Sequence, residues 1–334
     1  MVVIISILIL VLTLLNKNLV YDSINYSLNL WVKNIIPSLF PFFIISDILV
    51  NYDITRYIPK FIKRIFRYIF NISDNGLTIF LLSIISGFPS NAKITRTMLE
   101  KRNIDTNEAN HILIFSHFSN PLFILITIPI FFFHNENVGL ILLISHYLSN
   151  IILGILVRNK NIIRKNNCSK RIDNNDFSIV FINSIKKSIN TITTIGGIVT
   201  VFLVLASLIT HFLSLNFYNS MLFKGIMEMT IGIDSLVKLK LPLIYKLTIT
   251  SMFLAFGGLS IHMQVINEIM DTSIKYNYYL KGRIIQMVIS GLLTYIICLF
   301  CTTISWIVIF FKSVIKWFVW VYILTIASII TIKV

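Results

Sequence analysis

The chain is a succession of long apolar runs, and several are interrupted near their middles by Gly, Pro, Ser or Asn. Val138 to Val157, Ile195 to Leu215, Ile284 to Thr303 and Val314 to Ile332 are plain runs. Each is close to the length, about 20 residues, that crosses hydrocarbon as a helix. The others break. LWVKNIIPSLFPFFIISDILV carries Pro37 and Pro41, and GLTIFLLSIISGFP is half a span that stops at Gly87 and Pro89. HILIFSHFSNPLFILITIPIFFF is interrupted at Ser119, Asn120 and Pro121, and SMFLAFGGLSIHMQV stalls at Gly257 and Gly258. Backbone that leaves the helix at membrane depth needs protein or a wet cavity around it, because lipid cannot satisfy its N–H and C=O groups. The fold class is therefore all-α, a polytopic membrane protein with broken helices. Composition agrees: of 334 residues 56% are hydrophobic and 13% charged, about half the charged share of a soluble domain. Met1 to Leu15 lacks a basic start and a small-residue cleavage site, and reads as a retained first helix.

The net charge of +15 is carried between the apolar runs, which makes it a topology and lipid signal rather than a nucleic-acid footprint. In ITRYIPKFIKRIFRYIF, Arg56, Lys60, Lys63 and Arg67 recur at helical spacing opposite Ile58, Phe61, Ile62, Ile65 and Ile69. That pattern predicts an interfacial amphipathic helix on the cytoplasmic face, with anionic lipids as partners. The basic linker RNKNIIRKNNCSKR should also be cytoplasmic, and HNEN at His134 to Asn137 should lie outside. Counting crossings then puts both ends of the Gly76 to Leu99 segment on one side. It is expected to be a re-entrant hairpin with SGFPSNAK at its tip.

The second half reads as an inverted copy. Gly87 and Gly257 stand at equal distances before His111 and Lys281, which open the next helices, and each is followed by a Ser (Ser90, Ser260). The expected organisation is an N-terminal helix and linker (1–27), a first repeat (28–157) with a hairpin at 76–99, a basic linker and amphipathic helix (158–194), and a second repeat (195–334) with a hairpin at about 245–275 and C-terminal membrane helices. Inverted repeats with broken helices are a secondary-transporter pattern. Inversion would set Lys238, Lys240, Lys275 and Arg283 on the outer face, against the positive-inside tendency.

A half-helix starting at Ser90 or Asn91 would present unpaired N–H groups and the positive end of its dipole, a setting that suits an anion. Lys93 shares that face, or else snorkels to the interface. Ser260 and Gln264 offer a polar face at the second break, Ser119 and Asn120 one in the first broken span, and Ser38, beside Pro37, another. The substrate-binding residues expected are Ser38, Gly87, Pro89, Ser90, Asn91, Lys93, Ser119, Asn120, Gly257, Gly258, Ser260 and Gln264. Glu228, an acid among apolar residues in FKGIMEMTIGID, is either an ion or proton site or part of a surface stretch. The histidines His111, His117, His134, His146, His211 and His262 are scattered, so no metal site is expected, and no cofactor. There is no P-loop motif and no catalytic constellation, so no enzyme is expected. Cys298 and Cys301 form a C-x-x-C within an apolar run, outside any redox context.

PSLFPFFIISDIL, SGFPSNAK, HFSNPLFI and SHYLSN resemble the YlbJ-type sporulation integral membrane proteins, a family with "nucleoside recognition" or Gate domains. The resemblance runs from about Leu28 to Gly291, is looser at GIMEMTIGI and AFGGLS, and does not include the C-terminal tail. Gate domains also occur in concentrative nucleoside transporters and in ferrous-iron transporters. The kinship implies paired re-entrant hairpins around a midplane site. It also implies movement of dipicolinic acid across the mother-cell-derived outer forespore membrane. The expected partner is thus a small-molecule anion, with no nucleic acid, and with homo-oligomerisation left open. An ion-coupled nucleoside transporter and a non-transporting sporulation scaffold are the alternatives.

Overall fold

The computed structural model describes residues 2–158 and 176–301. Most of the basic linker, the side chain of Cys301 and the expected helix Val314 to Ile332 lie outside the described residues. Among them there is no strand. Five stretches are long and apolar enough to cross a membrane: Lys17–Asn51, Val138–Leu156, Phe177–Phe212, Leu243–Ile269 and Tyr276–Phe300.

After α1 (Val2–Leu15), the first long span joins α2 (Lys17–Leu30) to α3 (Ile36–Asn51) through a π-helical turn at Trp31–Ile35. Pro37 and Pro41 do not interrupt it. Pro37 follows directly on the π-helical turn, where the regular hydrogen-bond ladder is already disturbed, and Pro41 lies within α3. A short 3-10 turn, Ile54–Tyr57, follows. The amphipathic helix, α4 (Lys60–Phe70), therefore begins later than the charge spacing suggested, and Arg56 lies outside it, paired with Asp53 at 2.7 Å.

Between α4 and α5 (Asp74–Ser86) the chain bends by 92°, the angle expected between a helix lying in an interface and one entering the hydrocarbon. Arg67 holds Asp74 at 2.7 Å and Lys63 holds it at 3.8 Å across that bend, so these two charges brace the corner. Phe61, Ile65 and Tyr68 remain exposed. Helix α5 turns at Gly87–Pro89 into α6 (Ser90–Glu100), and the two helices pack against each other.

Next comes α7 (Thr106–Phe115), an irregular stretch, and a π-helical segment, Phe123–Phe133. Helix α8 (Val138–Leu156) returns along it. The rings of Phe66, Phe70, Phe80, Phe115 and Phe118 interlock with centroids 5.2–5.8 Å apart, fastening α4, α5 and the first break together. Lipid offers no hydrophobic drive between helices, so such close packing carries the association.

The second half opens with α9 (Phe177–Phe212), one helix of 36 residues and about 54 Å. The amphipathic piece before Ile195 is therefore continuous with the span, not separate from it. Helix α10 (Phe217–Met227) and α11 (Met229–Val237) form a tight hairpin with Glu228 at the turn. A Cβ on Gly232 would lie 2.2 Å from the Gly225 Cα, so the arms touch backbone to backbone. Helices α12 (Leu243–Phe256) and α13 (Gly258–Ile269) make one span interrupted at Gly257, and α14 (Tyr276–Cys301) packs along α12 and α8.

The hairpin expected at about 245–275 is thus a broken span, and the helical hairpin of this half lies at 217–237. The sequence clue pointed to the wrong element because Gly257 and Gly258 interrupt a helix as visibly as Gly87 does. They serve as the counterpart of Ser119–Asn120 instead. Both halves then share one order: span, hairpin, broken span, span. If each hairpin returns to its own side, three crossings per half set the halves in opposite senses.

The charge conflict also shrinks. Thr106 bonds Ser273 at 2.7 Å, and the Lys275 N–H donates to Asn110 at 2.8 Å, so Lys275 stands at the same end of the bundle as Lys101. Arg283 is 0% exposed and faces no membrane surface.

Candidate functional site

In each half the hairpin turn is pressed against the break of the following span. Gly87 has φ +74°, and a Cβ there would lie 2.6 Å from the Asn120 backbone N. Gly258 has φ +72°, and its Cβ would lie 3.0 Å from the Met229 N and 3.2 Å from the Glu228 Cα. Only glycine accepts both the left-handed backbone and the missing space. These two contacts bring 87–89, 116–120, 228–230 and 257–260 to the middle of the molecule.

Neighbouring helices supply the hydrogen bonds that these irregular stretches need. The Asn120 amide donates to the Ile85 carbonyl at 3.0 Å and accepts from the Leu122 N–H at 2.8 Å, tying the first break to the end of α5. The SHYLSN segment of α8 provides the rest. His146 Nε2 accepts from the Ser119 N–H at 3.0 Å. The Tyr147 hydroxyl lies 2.9 Å from the Ile84 carbonyl and 3.1 Å from that of Ser119. Asn150 donates to the His117 carbonyl at 2.6 Å.

Arg283 joins the two breaks. It donates to the Ile114 carbonyl at 2.8 Å and to the Ala255 carbonyl at 3.3 Å, and its guanidinium lies over the Tyr279 ring at 5.3 Å. Ile114 and Ala255 sit at the carboxyl ends of α7 and α12, where unpaired carbonyls and the negative dipole ends gather. Arg283 also donates to Gln286, which in turn reaches the His146 carbonyl and the Ser149 hydroxyl on α8.

Three cavities follow one another along the buried face of α9. Near its last turns is an open vestibule of about 510 Å³, whose walls include Tyr26, Leu203, Ser207, Lys224, Asp234 and Lys238. At Ile195 and Val199 lies a central cavity of about 30 Å³, lined by Ser38, Phe88, Ser119, Asn120, Glu228 and Gln264. At Asn190 and Thr191 lies a third of about 130 Å³, with Pro89, Gln264 and Glu268 in its wall.

Glu228 is 2% exposed. Its Oε2 accepts from the N–H groups of Thr230 at 2.8 Å and Ile231 at 3.2 Å and from the Thr230 hydroxyl, capping α11. The Ser260 hydroxyl is buried beside that carboxylate and closes no full hydrogen bond among the described residues. Gln264 is 3% exposed, lines both the central and the third cavity, and its amide has no hydrogen-bond partner among the described residues.

Of the residues singled out in the sequence, Ser38, Ser119, Asn120, Glu228 and Gln264 share the central cavity, and Gly87 and Gly258 set its walls in place. Gly257 closes α12 with φ +90°. Ser90 and Asn91 are not caps. Helix α6 starts at Ser90 with Pro89 in the cap position, and the buried Asn91 amide has no hydrogen-bond partner among the described residues. Lys93 does not reach the central cavity. Its Nζ donates to the Thr191 hydroxyl at 2.8 Å, and its side chain lines a small space of about 20 Å³ with Ser46, Asp47 and Ser90.

Sequence reasoning missed Phe88, Thr230, Arg283, Gln286, His146 and Tyr147. A usable signal existed for four of them. His146 and Tyr147, with Asn150 a turn later, and Arg283 with Gln286 one turn on, are polar groups inside spans that have no reason to carry them except buried partners.

The chain is 24% identical over 303 residues to the sporulation integral membrane protein YlbJ of Bacillus subtilis (strain 168), covering 80% of this chain and 74% of the relative. This likeness supports a YlbJ-type family assignment. Together with the apolar spans, it supports reading the chain as a sporulation membrane protein. No family model matches the chain, and no solved structure matches it.

Proposed function

We propose that the chain is a secondary transporter or facilitator that moves a small anionic metabolite during spore formation, namely dipicolinic acid across the outer forespore membrane. The observation that carries this reading is the meeting of two hairpin turns and two span breaks around one polar cavity, with a larger cavity on either side of it along α9. A scaffold has no need of irregular backbone at mid-depth, which is costly unless it serves a pathway. The spore setting follows the name of the relative.

Basic groups that could attract an anion stand on both sides of the central cavity, each with acidic neighbours: Lys224 and Lys238 line the vestibule with Asp22 and Asp234, and Lys93 bonds Thr191, which lines the third cavity with Glu268. The central cavity, at about 30 Å³, holds about one water, so passage requires the hairpin turns to part from the breaks. Movement of the hairpins against the spans, opening one side at a time, is the mechanism expected of broken-helix repeats.

A second reading is favoured by the cavity lining itself. One carboxylate and the amides of Asn120 and Gln264 are groups that could hydrogen-bond a nucleoside. Uptake of labelled dipicolinate and labelled uridine into proteoliposomes separates the two. Saturable dipicolinate uptake supports the proposal, uridine uptake alone transfers it to the second reading, and uptake of neither leaves a scaffold.

A further inference from the structure

We propose that Glu228 is the coupling group of this transporter, taking up and releasing one proton for each anion that passes. The inference rests on the anion reading above and adds the driving ion to it.

Glu228 occupies the turn of the second hairpin, lines the central cavity, and faces the first hairpin's turn at Phe88 across it. The vestibule, the central cavity and the third cavity all have α9 as a wall, and Glu228 lines the middle one. Its three capping donors all fall on Oε2, and no hydrogen bond ends on Oε1 among the described residues.

The surroundings are neutral. From α3 comes Ser38, from α9 Ile195 and Val199, from the first break Ser119 and Asn120, and from α13 Ser260 and Gln264. Tyr26 of α2, which lines the vestibule, feels the charge of Asp234 first and that of Glu228 second. Lys224 and Asp234, from the two arms of the same hairpin, line the vestibule instead. No ion pair to Glu228 is present among the described residues.

An ionised Glu228 would therefore repel a dicarboxylate at contact distance in a site nearly free of water, where like charges interact strongly. With a proton on Oε1 the repulsion disappears, and the group becomes a donor to one oxygen of the substrate. No covalent bond forms or breaks in the substrate. The proton enters from water in the vestibule, accompanies the anion, and leaves to water on the far side. Once the anion has gone, water reaching the opened site takes the proton, and the three donors on Oε2 hold the carboxylate that remains.

The test uses the full chain in proteoliposomes with a trapped pH-sensitive dye and labelled dipicolinate outside. Protons should enter with dipicolinate. At zero membrane potential, a pH gradient of about one unit should change accumulation about tenfold for one proton per anion. In Glu228→Gln the response to the pH gradient should vanish, whatever the absolute rate. Glu228→Asp should retain the response with a shifted midpoint. Dipicolinate entry with no proton movement, or entry driven by a sodium gradient, overturns the coupling role while leaving transport intact. A Glu228→Gln variant that still responds about tenfold overturns it as well. If no dipicolinate enters under any gradient, the transport reading falls, and the coupling role falls with it.

Discussion

The Arg283 guanidinium donates to the Ile114 carbonyl at 2.8 Å, fastening the last described helix of the second half to the break in the first. Its bond to Ala255 at 3.3 Å makes the same residue close the end of α12. Replacing it with methionine keeps much of the volume but leaves both carbonyls and Gln286 without their donor. Each buried group left unsatisfied costs about 1–3 kcal/mol. Arg283→Met should therefore lower the thermal midpoint of the detergent-solubilised protein markedly, and Arg283→Lys should recover only part, since an ammonium lacks the planar fork. Unchanged melting of both variants would remove the clamp from the account.

Gly87 and Gly197 make a matched pair. A methyl at Gly87 meets the Asn120 backbone, whereas a Cβ at Gly197, exposed on α9, meets nothing within 4 Å among the described residues. Gly87→Ala should unseat the hairpin turn and abolish uptake in protein that still inserts. Gly197→Ala should leave uptake intact and stabilise the helix by up to about 1 kcal/mol. Equal uptake by the two variants would mean that the turn does not need its contact with the break.

Lys93 reaches Thr191 rather than the central cavity, so its charge acts on an anion approaching from that side. Lys93→Gln should weaken dipicolinate binding about tenfold, as expected for the loss of a charged hydrogen-bond donor at about 1.5 kcal/mol, and Lys93→Arg should weaken it less. Uridine binding, measured on the same variants by calorimetry, should not change. A loss of affinity for both solutes would assign Lys93 to holding α6 against α9.

The order of elements fixes where labels should react. In a chain stripped of native cysteines, Cys at Tyr68, Lys101 and Lys275 should react with an impermeant maleimide from one face of the membrane, and Cys at Lys240 from the other. The contacts of Ser273 with Thr106 and of Lys275 with Asn110 are the reason for grouping the first three. Labelling of Tyr68 and Lys101 from opposite faces would make α5 and α6 a full crossing.

The sequence alone determined the solvent and the style of the fold. Runs such as Val138 to Val157 have no stable home but hydrocarbon, and interruptions at Gly87, Ser119–Asn120 and Gly257 demand protein around them, because an unpaired N–H in lipid costs several kcal/mol. It also brought Glu228 and Gln264 forward, since polar groups in apolar runs are expensive wherever they lie. What it left undecided is which interruption turns the chain around. A Gly that reverses direction and a Gly that only opens a helix obey the same local rule of positive φ. Only the tertiary structure decides between them, through the packing of α6 back on α5 after Gly87 in one case and the seat of Gly258 against Met229 in the other. Arg283 makes the same point for charge. Read along the chain it counts as a surface cation, but the two carbonyls that explain its burial come from positions 114 and 255, which no local pattern brings together.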